Sequence, residues 1–174
     1  MSTKAMNGFS LLEALCALTI TLIITATAAP TLSSWILKQR VSSLQVDLFH
    51  ITSQARFLAV TRKARITLCP LTPEGSCSAR WEHSLSSFID NNGNRRLDAD
   101  EEVISTLLIP EGINLYWRGM QPINSIHFSS QGMTFVSNGT MSLCPQPPTT
   151  PAKALQINRQ GRIKTADIKA NCHR

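Results

Sequence analysis

Met1-Ser2-Thr3-Lys4-Ala5-Met6-Asn7-Gly8 runs without a break into Phe9-Ser10-Leu11-Leu12-Glu13, and an apolar run then continues to Ala29 and closes at Pro30. Phe9 to Ala29 matches the length of about 20 residues that spans a bilayer. Small and hydroxyl residues interrupt it, and one charge, Glu13, stands near its start. A charge inside a membrane costs roughly 2.5–3.5 kcal/mol, so Glu13 needs a partner. An ordinary secretory signal would carry a basic leader and a small-x-small cleavage site, which Ala26-Thr27-Ala28 would supply. Here the leader holds only Lys4, and the acidic side chain intrudes on the core. A plain membrane anchor is the other simple reading of the run.

Beyond Pro30 the pattern becomes amphipathic. Leu37, Val41, Leu44, Leu48, Ile51, Ala55 and Leu58 recur at spacings of four and three, one apolar stripe on a helix. Lys38, Arg40, Gln45, Asp47, Gln54 and Arg56 fall outside it. The spacing predicts one helix from about Phe9 to about Thr61, apolar all round in its first half. From Arg65 short strand-like runs take over: Arg65–Cys69, Ser87–Asp90, Val103–Ile109, Ile113–Arg118, Ser125–Ser129, Phe135–Val136 and Met141–Cys144. Turn residues separate them, among them Asn92-Gly93, Gln131-Gly132 and Asn138-Gly139. A proline-rich connection, Pro145–Pro151, leads to a final hairpin, Ala154–Asn158 and Arg162–Thr165, turning on Gln160-Gly161. The order argues an α+β protein whose antiparallel strands cover the helix stripe. Its segments are a leader (1–8), a helix (9–62) and a β-rich domain (63–174).

Of the five cysteines, Cys16 lies in the apolar run. Cys69, Cys77, Cys144 and Cys172 lie beyond it and suggest two disulfides in an oxidising compartment. The net charge of +6 is uneven. Residues 64–152 hold eight acidic against five basic side chains, whereas Lys153–Arg174 holds six basic against one acidic. That asymmetry suits an anionic partner. Asp90, Asn92, Asn94, Asp98 and Glu101 match ligand positions of a calcium loop, but Arg95 stands where the sharp turn wants glycine. A polar turn that needs no calcium is the expectation. No G-x-S-x-G, H-E-x-x-H, P-loop or C-x-x-C motif occurs, and His50, His83, His127 and His173 are scattered. Neither an enzyme nor a metal or other cofactor is expected.

Gly8-Phe9, Glu13 and the apolar run, all in register, resemble the signal of type IV pilins and pseudopilins. The body is similar to the GspH/FimT branch through Ile66-Thr67-Leu68-Cys69-Pro70, Cys77, Trp81, Phe88-Ile89-Asp90-Asn91-Asn92-Gly93-Asn94, Phe128-Ser129-Ser130-Gln131-Gly132, Leu143-Cys144 and Leu155–Arg162. The resemblance implies the type IV pilin fold. It also implies cleavage after Gly8 by a prepilin peptidase, methylation of Phe9, and pairing of Glu13 with a neighbouring subunit's N-terminal amine. The helix half 9–35 would hold the chain in the bacterial inner membrane, single-pass with a periplasmic domain, and then join it to other pilin subunits. Gly161-Arg162-Ile163-Lys164 resembles the GRxR motif associated with DNA binding in FimT-like pilins, with lysine for the second arginine. Arg162 and Lys164 would contact adjacent phosphates, widened by Lys153, Arg159, Lys169 and Arg174, without reading sequence. Natural transformation is the implied setting. A structural subunit that prims a pilus or a type II secretion pseudopilus is the alternative. Four cysteines allow three pairings; proximity favours Cys69–Cys77 across the Pro73–Gly75 turn, leaving Cys144–Cys172 to pin the tail.

Overall fold

The computed structural model describes residues 10–120, 124–148, 150–166 and 172, save the side chains of residues 27–31. Helix α1 runs Leu11–Thr61, and the chain divides into two units at Ile36/Leu37.

In the first unit every described large apolar side chain is exposed, from Leu11 to Trp35. The hydroxyls of Thr19, Thr21 and Thr25 turn back onto carbonyls three or four residues earlier. These polar groups are therefore satisfied within the helix. Among the described residues no helix is long and apolar enough to cross a membrane.

The second unit carries the core. Val41, Leu44, Leu48, Ile51 and Ala55 of the expected stripe are buried, joined by Ala59, while Leu37 and Leu58 are partly buried against them. Each fully buried large side chain contributes roughly 1.5–3 kcal/mol. Gln45, read from spacing as outside the stripe, is buried, and its Nε2 donates to Ala154 O at 3.0 Å. A buried amide costs little once it is bonded. The helix stops where Lys63 adopts φ 54°, a left-handed turn that glycine usually supplies.

Eight strands follow among the described residues: β1 (Ile66–Cys69), β2 (Ser84–Ile89), β3 (Val103–Leu108), β4 (Ile113–Gly119), β5 (Ile126–Phe128), β6 (Gly139–Pro145), β7 (Lys153–Ile157) and β8 (Ile163–Ala166). They form two antiparallel sheets, in the orders β3-β2-β1-β5 and β4-β6-β7-β8. Every residue of β1 is buried. Ile66 and Leu68 join the core, Thr67 bonds Asp90, and Cys69 is bonded to Cys77. The rings of Trp81 and Trp117 meet at 5.8 Å, joining the loop before β2 to β4. Both expected disulfides are present: Cys69–Cys77, Cα atoms 5.5 Å apart, and Cys144–Cys172, 5.7 Å apart. One expected strand is absent: Phe135–Val136 lies in a turn, with Phe135 at φ 50°. Two adjacent apolar residues imitate a strand in sequence, but a left-handed residue cannot continue a ladder.

Candidate nucleic-acid interface

The last hairpin pairs β7 with β8, placing Gln156 opposite Lys164 and Ile157 opposite Ile163. Ile163 turns to the core, so its neighbours turn away from it. Arg162, Lys164 and, at the turn, Arg159 are exposed. None of these three, nor Lys153, forms an ion pair among the described residues; the ion pairs there are Arg62–Glu102 and Arg65–Asp90. β8 is an edge strand of its sheet, where a lysine also discourages unwanted strand pairing.

Gly161 N–H donates to Asn158 O at 2.9 Å, and Arg162 N–H to Asn158 Oδ1 at 2.8 Å, closing the turn. Gly161 sits at φ 73°, and a Cβ there would collide with Gly132 O. Only glycine allows that approach. The turn is fastened on two sides. Thr134 N–H donates to Arg159 O at 3.2 Å and its Oγ1 to Asn158 O at 2.9 Å. Arg56 of α1 donates Nε to Gly132 O at 3.1 Å and Nη2 to Gln160 O at 3.2 Å. Spacing put Arg56 outside the buried stripe; the structure uses it as a staple between helix, loop and hairpin. The glycines it reaches, Gly132 and Gly161, are the sequence feature that marks room for close approach.

The structure brings Arg159, Gly161, Arg162 and Lys164 together. By register Lys153 shares a face with Leu155 and Ile157, the face opposite Lys164, so it stands apart from that cluster. Lys169 and Arg174 lie outside the described residues, as do Gly8 and Phe9. Glu13 occupies the first turn of α1, where a carboxylate also complements the helix dipole.

The acidic loop after β2 is committed to itself. Asp90 is fully buried, and its Oδ2 accepts from Thr67 Oγ1 at 2.6 Å and Arg95 N–H at 3.3 Å, with Arg65 Nε at 3.8 Å. Asp98 accepts from the Asn92 and Asn94 amides, which hold its carboxyl below the ordinary range. Glu101 accepts from Asn91 N–H and Asp98 N–H. Arg95 adopts φ 61°, so the turn forms without the glycine whose absence counted against it in the sequence. Among the described residues no group of three or more His, Cys, Asp or Glu is arranged to hold a metal.

Residues 47–161, more than half of the chain, match the family model of type II transport protein GspH. No curated protein sequence matches. Among solved structures, the type IV minor pilin FimU of Pseudomonas aeruginosa superposes with a TM-score of 0.60 at 18% identity, covering 78% of this chain and 95% of its own. The minor pseudopilin EpsH from the type 2 secretion system of Vibrio cholerae gives 0.52 at 12%, covering 77% of this chain and 99% of its own. Helix, sheets and sequence thus agree, and the chain belongs to the GspH family of minor pilins and pseudopilins, with the type IV pilin fold.

Proposed function

We propose that this chain is a minor type IV pilin that binds double-stranded DNA without sequence preference during DNA uptake. The observation that carries the reading is the exposed Arg159–Arg162–Lys164 cluster, in no ion pair among the described residues and held by a turn that Thr134 and Arg56 fasten. Cations displayed in this way release counterions from phosphates and so bind the backbone. Lys169 and Arg174 extend the same basic tail. The chain performs no catalysis and carries no cofactor. A prepilin peptidase cuts after Gly8, Phe9 is methylated, and the apolar half of α1, with the Thr19, Thr21 and Thr25 hydroxyls bonded within the helix, holds the chain in the inner membrane before assembly. Glu13 then meets a neighbouring pilin. In a transformable host, R162Q/K164Q should reduce DNA uptake while pili still form. Normal uptake by that variant would sink the proposal.

A second reading is favoured by the family match to a type II transport protein: a structural subunit that primes a pilus or secretion pseudopilus and touches no DNA. It predicts that the same variant is silent in uptake and binding alike.

A further inference from the structure

Lys63, Arg65, His127, Ser129, Ser130 and Phe135 line a cleft of about 260 Å³. The lining holds two cations and no carboxylate. Asp90 stands behind Arg65, 3.8 Å from its Nε, and is itself engaged by Thr67 and Arg95. Ser129 Oγ accepts from Gln131 N–H and Met133 N–H, bonds that leave its own proton to donate. His127 is 7% exposed, and its Nδ1 is buried with no hydrogen-bond partner.

The backbone around the cleft is strained. Four non-glycine residues have positive φ among the described residues, and two of them, Lys63 (54°) and Phe135 (50°), line this cleft. Glycine would serve both turns more cheaply, and a bulky ring at such an angle is an outlier. The strain is retained together with a cationic head and an exposed aromatic residue, Phe135. The loop that forms one wall, residues 129–135, is bonded through Thr134 and Gly132 to the basic hairpin and Arg56.

We infer that the cleft takes one unpaired nucleotide, its phosphate between Lys63 and Arg65 with Ser129 donating, and its base against the Phe135 ring. The inference rests on the DNA-binding reading and adds a single-strand subsite beside the duplex-binding hairpin. Cations alone would take any anion; the exposed ring selects one that carries a planar base, and a base reaches a ring only when unpaired.

The test uses the full chain in detergent, with a labelled hexathymidylate, an abasic phosphodiester of equal length, and a duplex. Wild type should bind hexathymidylate about tenfold more tightly than the abasic strand. F135G and F135L should erase that preference, F135L keeping the apolar volume as a control on folding. K63G should weaken both strands alike. None of the three should alter duplex binding, which R162Q/K164Q should weaken while lowering its salt slope by about two. Equal wild-type affinity for the two single strands, or an undiminished preference in F135L, overturns the inference and leaves the hairpin reading standing. A thymidylate preference that persists while wild type ignores duplex does the reverse.

Discussion

Gly161→Ala tests whether the hairpin is held as the structure describes. Residue 161 sits at φ 73° and its Cα faces Gly132 O. An L residue in the left-handed region costs roughly 1–2 kcal/mol. The methyl must also displace a backbone oxygen that Arg56 Nε already holds at 3.1 Å. Moving either strand of that contact strains the Thr134 bonds to Asn158 O and Arg159 O, each worth about 1 kcal/mol. The sum is a loss of about 3–4 kcal/mol, a large part of a typical stability of about 5–15 kcal/mol. Gly93→Ala is the matched control. Its φ is 75°, but its methyl would meet a side chain, Arg65, rather than backbone, so the conformational cost of about 1–2 kcal/mol dominates. Urea unfolding of both variants, at unchanged m, measures the difference. A loss at Gly161 no larger than at Gly93 would refute the close approach and with it the rigid presentation of Arg159 and Arg162.

Cys172→Ser should cost roughly 3–4 kcal/mol by releasing a closure of 28 residues, read by urea unfolding without reductant; a loss under 1 kcal/mol would deny the tail disulfide a structural role. His127 is pushed down from 6.5 to about 4 by burial first and then by Arg65 and Arg95. Above pH 6.5 native and unfolded chains are both neutral there; below it only the unfolded chain takes a proton, so between about pH 6.5 and pH 4 stability should fall by up to about 3 kcal/mol. His127→Gln should flatten that part of the pH curve, and an unchanged slope would contradict the burial. Melts with calcium and with chelator should coincide, because Asp90, Asp98 and Glu101 are engaged by the loop's own donors; a rise of several degrees with calcium would show a site.

Much of the fold is legible in the residues. The four-three spacing from Leu37 to Leu58 needs nothing but helix geometry, and five of its seven members are buried, the two ends partly so. Both disulfides follow from proximity and the count of cysteines outside the apolar run. What spacing cannot show is how strands partition. The turns at Gly93 and Gly132 are plain, but which strands share a sheet depends on tertiary packing, and Gly139, read as a turn, opens β6. Polar residues misled for one reason: a side chain's partner can be a distant backbone carbonyl. Gln45 finds Ala154 O and Arg56 finds Gly132 O and Gln160 O, so period alone assigned both to solvent. Phe135 misled in the opposite way, an apolar residue reading as strand while its backbone turns left-handed. Of the site, the Gly161-Arg162-Ile163-Lys164 run is visible as a motif. The opposed facing of Lys153 is visible only once the register of β7 against β8 is known.

A minor pilin that binds DNA through its last hairpin must touch phosphate with the hairpin cations. Affinity of the purified chain for duplex DNA, measured from about 50 to 200 mM salt, tests this directly. Each phosphate contact contributes about 0.9 to the slope of log affinity against log salt. R162Q/K164Q should therefore lower the slope by about two, equally on two unrelated sequences, with the melting temperature close to wild type because exposed charges without partners contribute little to stability. An unchanged slope, with binding as tight as wild type, would contradict the account and leave the hairpin a solvated edge of a structural pilin subunit.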